Sequence, residues 1–249
     1  MPSVGYCTLE DLRRAMQEAS LPGDISQDKQ IAVDSITAQT EWLEKTLKRH
    51  WYAPAGADIL DEATDIDIPT GPKSRDDEQD IPTPSAIVVD DDGPAPKTWQ
   101  GSYTKLDLAR RDAGAVTKLL VRDGDGSYTD WVASDDYSVG QSPDGLGDDA
   151  YVRVNNGGWS ALYLDVSNLY DDTADEWKLD TFSNAVYAFF EYGYEGLPQT
   201  IRRAVAFRAA SDFVDEAAVQ IPENARVRSV ESLADQFERK SEELLEVYR

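Results

Sequence analysis

Residues 186–204 read VYAFFEYGYEGLPQTIRRA, and a change of period inside this stretch decides the fold. Val186 to Tyr194 follows the two-residue period of a strand. Val186, Ala188, Phe190, Tyr192 and Tyr194 fall on one side, Tyr187 and Phe189 on the other. Both sides therefore call for cover, from the chain's own helices or from a neighbouring subunit. Gly193 and Gly196 suit positive φ or close backbone approach, and Gly196 breaks the strand. Pro198 fits the first turn of a helix, where its missing amide would be unpaired anyway. Ile201, Val205, Ala209 and Phe213 then recur every four residues, flanked by Phe207, Ala210, Val214 and Ala217. So wide an apolar surface belongs at the centre of the fold.

Working outward, Ile221-Pro222 closes this helix and a last one follows. Leu233, Phe237, Leu244, Leu245 and Tyr248 share one face; Glu231, Asp235, Glu238, Glu242 and Glu246 lie largely on the other. The N-terminal end is helical too. Thr8-Leu9-Glu10-Asp11 has the form of a capping box and predicts a short helix to about Ala19, ended by Leu21-Pro22-Gly23. Asp24 and Gln27 cap a second helix whose seam is Ile25, Ala32, Ile36, Leu43 and Leu47, with Asp28, Glu41 and Glu44 facing elsewhere. Pro54 and Gly56 stop it.

Between these ends the period changes to that of short strands. Thr64, Ile66 and Ile68 alternate with Asp65 and Asp67, and similar runs occur at Ala86–Val89, Val116–Arg122, Tyr151–Val154 and Leu162–Val166. Turn clusters such as Asp92-Gly93-Pro94 and Pro143-Asp144-Gly145 separate them. Pro69 to Pro84 has almost no apolar residue and reads as a mobile loop near 69–84. The expected class is α+β. N-terminal helices occupy 1–55, a mostly antiparallel β domain is inserted at 56–184, and a strand with C-terminal helices fills 185–249.

Composition narrows the function. The chain has 249 residues, 41% of them apolar, enough to fill a core. Met1 to Glu10 has neither the basic start nor the apolar stretch of a secretory signal, and Ala185–Phe190 is far too short to cross a bilayer, so a soluble protein is expected. The net charge is −24, from 48 acids (32 Asp, 16 Glu) against 24 bases (15 Arg, 9 Lys). Such a surface suits a salt-saturated cytoplasm, where cations screen the self-repulsion. It argues against gripping nucleic acid, because phosphate contacts need Lys and Arg.

Candidate chemistry is sparse. Cys7 is the single cysteine and His50 the single histidine, which excludes an internal disulfide and a two-histidine metal site. Cys7 reads as a buried apolar residue, and His50 as the end of a helix beside Lys48 and Arg49, where a cation suits the dipole. No phosphate-binding loop or dinucleotide fingerprint is present. Asp123-Gly124-Asp125-Gly126-Ser127 resembles the opening of a calcium loop, which makes Asp123 and Asp125 weak metal candidates. Tyr128 stands where the sharp turn wants glycine, and Ser134 where the loop wants Glu, so a hairpin turn explains the same residues. Asp90-Asp91-Asp92 reads as a solvated run. Trp99, Trp131, Trp159 and Trp177 either fill the core of the β region or line a ligand face. No cofactor and no catalytic residue is expected.

Three stretches together resemble a known family. They are Tyr6-Cys7-Thr8-Leu9-Glu10-Asp11-Leu12, the helix ending Trp42-Leu43-Glu44-Lys45-Thr46 and Arg49-His50-Trp51-Tyr52, and Tyr192 to Ala204. Their order is similar to that of the head–tail connector (adaptor) proteins of tailed bacteriophages and archaeal tailed viruses. The likeness covers roughly residues 6–54 and 186–249. It implies a helical adaptor core carrying a β insertion. It further implies a virion protein at the head–tail interface, host-cytoplasmic before assembly, forming a homo-oligomeric ring, usually a dodecamer. The ring would sit below the portal protein and above the next tail or head-completion protein. DNA would pass through unbound, with no membrane involved. The acidic composition adds a haloarchaeal source. By the resemblance, Leu233, Phe237, Leu244, Leu245 and Tyr248 are the candidate portal-facing residues; the equal alternative is that this helix packs on the protein's own core, and both can hold along different parts of it. Tyr192, Gly193, Tyr194, Gly196 and Pro198 are candidates for the fold or ring junction. The rival readings are a halophilic β module that binds calcium or glycan and, further off, an acidic hydrolase.

The charge makes a first prediction. Lowering salt from about 1 M to 0.1 M lengthens the screening distance from roughly 3 to 10 Å. Melting followed by circular dichroism is expected to fall in temperature along that series, and equal melting temperatures throughout would remove the halophilic reading.

Overall fold

The computed structural model describes residues 3–17, 29–63, 65–81, 99–100, 103–140, 148–171, 173–174, 176–220 and 227–249. In chain order the first elements are α1 (Leu9–Gln17), α2 (Lys29–Leu47), β1 (Trp51–Tyr52) and α3 (Asp58–Glu62). The β region follows with β2 (Lys73–Gln79), β3 (Trp99–Gln100), β4 (Tyr103–Asp107), β5 (Ala113–Arg122), β6 (Tyr128–Asp130) and β7 (Val139–Gly140). It continues through β8 (Ala150–Val154), β9 (Ser160–Asp165), β10 (Tyr170–Asp171), β11 (Glu176–Trp177) and β12 (Val186–Tyr192). The chain closes with β13 (Tyr194–Glu195), α4 (Gln199–Gln220) and α5 (Val227–Leu245). The class is α+β.

The chain divides into two units, Met1–Pro72 with Tyr194–Arg249, and Lys73–Gly193. These boundaries differ from the expected 56–184 and 185–249. Ile59, Ile66 and Ile68 bury their side chains in the helical core, so the segment after Pro54 stays with the helices. Val186, Ala188 and Phe190 are buried in the other core, so the aromatic strand belongs to the inserted unit.

The helical unit packs α4 against α1, α2 and α5. Its core includes Leu12, Ile36, Leu43, Ile201, Val205, Ala209 and Phe237, all nearly or wholly out of solvent. The capping box at α1 forms as read: the Asp11 amide donates to Thr8 Oγ1 at 3.2 Å and the Thr8 amide to Asp11 Oδ2 at 3.1 Å. Asp11 also receives a two-pronged contact from Arg202 of α4, at 2.9 and 3.1 Å, so one buried carboxylate caps one helix and ties it to another. Arg208 of α4 does similar work. It donates to Gln39 of α2 at 2.9 Å and to Glu242 of α5 at 3.0 Å, and its guanidinium lies 3.6 Å over the Trp42 ring. Between α4 and α5, small residues allow close approach, and the Ser241 hydroxyl donates to the Ala204 carbonyl at 2.8 Å.

The inserted unit is a sandwich of two sheets. One runs β2-β12-β5-β6 and the other β3-β4-β9-β8-β7, all pairs antiparallel except β7 with β8. Leu119, Val121, Val186, Ala188 and Phe190 of the first sheet share a core with Leu106, Val152, Leu162 and Leu164 of the second. The runs Val116–Arg122, Tyr151–Val154 and Leu162–Val166 are thus strands, apart from Val166, which begins a short 3-10 turn. Two expectations change. Lys73–Gln79, read within a mobile loop, is a strand paired along the whole of β12. Its bonds are made by backbone, and as an edge it has no need of apolar side chains. On the second face of β12, half-buried Tyr187 meets side chains of its own sheet. Tyr128 meets Tyr187 edge-on at 5.2 Å, and the Tyr187 hydroxyl donates to Glu78 at 2.7 Å. Of the run Thr64–Ile68, Thr64 lies outside the described residues and the rest gives a single bridge, Val4 with Asp67, while Ile66 and Ile68 are buried as their alternation required. Ala86–Val89, Asp90–Asp92, Ile25, Pro143–Gly145 and Ile221-Pro222 lie outside the described residues.

Lys73 stands opposite Tyr192, so the inserted unit begins and ends on paired strands. Replacing Lys73–Gly193 by a short Gly/Ser linker therefore costs the helical unit little more than loop-closure entropy. The shortened protein is expected to keep a cooperative helical melt; a non-cooperative one would show that the two units share stability.

Candidate functional site

The segment from the end of α2 through β1, with β13 beside it, gathers most of the residues that the family likeness rests on. Lys48 adopts φ 55° and ends α2. The chain then turns His50 inward, where it is fully buried. Its Nδ1 lies 2.8 Å from Glu44 Oε1 and 2.8 Å from the Tyr6 hydroxyl, and its Nε2 lies 3.2 Å from the Gly71 carbonyl. The Tyr6 hydroxyl donates to Glu44 Oε1 at 2.5 Å and accepts the Trp51 amide at 3.0 Å. Each ring nitrogen thus faces an acceptor group, the Glu44 carboxylate or the Gly71 carbonyl.

This corrects the reading of His50 as a helix-end side chain and of Glu44 as an outward one. The helix stops earlier than Pro54 suggests, at Leu47, and the three residues after it carry His50 back under the N-terminal segment. The missed signal was the coincidence of Tyr6, Glu44 and His50, three hydrogen-bonding groups in segments otherwise read by their apolar seam. Cys7 next to it is buried as expected. Burial pushes its thiol well up, the nearby Asp11 charge adds to this and Arg202 opposes it, so the reactive thiolate is suppressed.

The junction residues sit as follows. Tyr194 and Glu195 pair in parallel with Trp51 and Tyr52, through the Tyr194 amide to the His50 carbonyl and the Gly196 amide to the Tyr52 carbonyl, both at 2.9 Å. Gly193 (φ 132°) and Gly196 (φ 96°) bracket this bridge, the positive φ anticipated for them. The Pro198 carbonyl accepts the first helical bond of α4, from the Arg202 amide at 3.1 Å. Tyr192 and Tyr194 do not share a face or a cover. Tyr192 packs in the β unit under the Arg110 guanidinium, 3.9 Å from its ring centre, whereas Tyr194 is 41% exposed.

The α5 stripe is turned onto the protein's own core. Phe237 and Leu245 are 1% exposed, and Leu233, Leu244 and Tyr248 pack against the same cluster. Tyr248 meets Trp51 edge-on at 5.8 Å, and its carbonyl accepts Arg49 at 2.9 Å. Of the candidate portal-facing residues, Phe237 and Leu245 are thus taken up by the protein's own core, Leu233, Leu244 and Tyr248 remain half-buried, and Val247, 87% exposed, is the bare apolar residue at this end.

Asp123 and Asp125 lie in the turn between β5 and β6, the hairpin turn expected of these residues. Asp125 Oδ1 accepts from the Ser127 amide and hydroxyl, at 2.9 and 2.6 Å, and those bonds hold its carboxyl below the usual range. Asp123 Oδ2 accepts from Thr129 at 2.6 Å. Among the described residues no group of three His, Cys, Asp or Glu side chains could hold a metal ion, and no helix is long and apolar enough to cross a membrane. Trp131 is 2% exposed and stacked on Tyr137, a core residue, while Trp159 is 39% exposed. Set against family models, curated proteins and solved structures, the chain matches none.

The knot around Glu44 yields a prediction. Tyr6→Phe removes the acceptor of the buried Trp51 amide and a donor to Glu44, a loss of about 1–3 kcal/mol. A lower urea midpoint at unchanged slope is the expected result, read as stability without a change in surface exposed.

Proposed function

We propose that this chain is a structural virion protein, a head–tail adaptor whose helical unit builds a ring below the portal and whose β unit is an accessory insertion. The observation that carries the reading is that both chain ends fold into one helical unit, with the element order that the family resemblance implies. A short capped helix, a long helix, a strand, a Gly-Pro turn and two further helices follow one another, with the β unit entering and leaving on paired strands. The side chains in which chemistry was sought support a structural role. His50 is locked among three hydrogen-bonding groups, Cys7 is buried, and the Asp123–Ser127 acids are engaged within their turn. An acidic ring wall would repel the DNA backbone and let it slide. The partners in this reading are copies of the chain, the portal protein and the next tail or head-completion protein. In this reading the portal contact uses what α5 leaves outside the core, the half-buried Leu233, Leu244 and Tyr248, and not Phe237 or Leu245.

Native mass spectrometry and negative-stain imaging in molar salt test the proposal. Closed rings, with twelve copies as the leading expectation, are the predicted species. A monomer that stays monomeric at high concentration and with portal rings added would overturn it.

A further inference from the structure

The five-stranded sheet of the inserted unit has two faces of opposite character. Leu106, Leu162, Leu164 and Val152 turn into the sandwich core. The alternate positions place Lys105, Tyr163, Tyr151 and Arg153 on the reverse face, where Lys105 pairs with Tyr163 and Tyr163 with Tyr151. Tyr151 and Tyr163 stack with centroids 5.0 Å apart and planes within 7°, and Tyr103 meets Tyr151 edge-on at 5.3 Å. Together with Ala161 they form a small separate apolar floor. An open groove of about 450 Å³ is lined by Lys105, Arg153, Val154, Asn155, Asn156 and Tyr163.

Three features of this groove point to a ligand. Its lining holds two cations and no carboxylate, in a chain with twice as many acids as bases. Lys105 is paired with Asp107 at 2.8 Å, but Arg153 is exposed and has no ionic partner among the described residues. Second, the Tyr163 hydroxyl donates to Asn155 Oδ1 at 2.5 Å, which engages the amide's acceptor while its Nδ2 is buried with no hydrogen-bond partner. An unpaired buried donor is costly, and a ligand acceptor relieves that cost once the half-buried Asn155 side chain turns its amide toward the groove. Third, the volume lies within the roughly 300–1,000 Å³ of small-molecule sites.

The lining also selects the ligand class. Tyr151 and Tyr163 are 6% and 3% exposed, so they offer no open ring face on which a nucleobase could stack. What is free is a guanidinium, which matches a carboxylate with two parallel bonds, and side-chain amides, which suit hydroxyl groups. A sugar acid carries both. We infer that this groove binds an acidic sugar, a uronate unit of a glycan, with the carboxylate on Arg153 and hydroxyls against Asn155 and Asn156. The inference is independent of the adaptor reading.

Calorimetric titration of the full chain with tetragalacturonate, and with maltotetraose as the neutral counterpart, tests it. Saturable binding of the acidic tetramer is expected, with the neutral one weaker by about tenfold or more, and Arg153→Gln is expected to lose about the same factor. Arg153 and Asn156 are both exposed, so Arg153→Gln and Asn156→Ala are expected to leave the melting temperature unchanged while weakening binding. Equal affinity for the two tetramers, no saturable binding at millimolar ligand, or full affinity in Arg153→Gln would overturn the inference. So would an Arg153→Gln protein whose change is in oligomeric mass and not in sugar binding, since the groove would then be a contact between copies. Rings that persist in Arg153→Gln while sugar binding is lost would separate this site from the assembly reading.

Discussion

A carboxylate that leaves water must find several donors at once, and Glu44 does so at the point where the helical unit is tied together. Its side chain is 14% exposed and is met by the Tyr6 hydroxyl and the His50 ring. Through those two it is linked to the Trp51 amide and the Gly71 carbonyl. Four segments are thereby fixed together: the stretch before α1, the last turn of α2, the start of β1, and the chain just before the inserted unit. The arrangement tolerates no partial version, because a half-satisfied buried network costs more than an apolar one. That is why the parallel bridge of β1 with β13 can rest on only two residues of each strand.

A second set of ties spans the chain ends. Asp11 and Arg202 lie 191 residues apart, and Gln39 and Arg208 lie 169 apart, so the helical unit is complete only when the C-terminal helices return to the N-terminal ones. Loop-closure entropy grows slowly with length, so the residues between can fold as a unit of their own at modest cost. This is the physical sense in which the β unit is an insertion: its first and last strands are neighbours, and its core is separate.

Much of this was legible in the residues. The Thr8–Asp11 box, the seam of α2 through Ala32, Ile36, Leu43 and Leu47, the apolar rows of α4 and the positive φ of Gly193 and Gly196 each follow from local chemistry, and local chemistry is what a sequence displays. The misreadings share one cause. His50 and Glu44 were judged by the element they sit on, while their roles come from segments far away in the chain. Lys73–Gln79 was hidden for a related reason, since a strand held by backbone bonds to a hydrophobic neighbour carries no apolar signal of its own. The groove beside Tyr163 was foreshadowed only by the concentration of aromatic residues in the middle of the chain. Its cations lie on separate strands and come together only through register.

The same polar strand has a consequence for life among copies. The outer edge of a sheet offers unpaired amides and carbonyls, and a flat apolar edge invites another chain to extend it. Here the edge is β2, whose seven residues are Lys, Ser, Arg, Asp, Asp, Glu and Gln, laid beside the most aromatic strand of the protein. A second molecule adding itself there would have to bring its backbone against a row of mixed charges and strip their water. On that edge the aromatic strand is fenced from fibre-like growth by the least hydrophobic strand among the described residues.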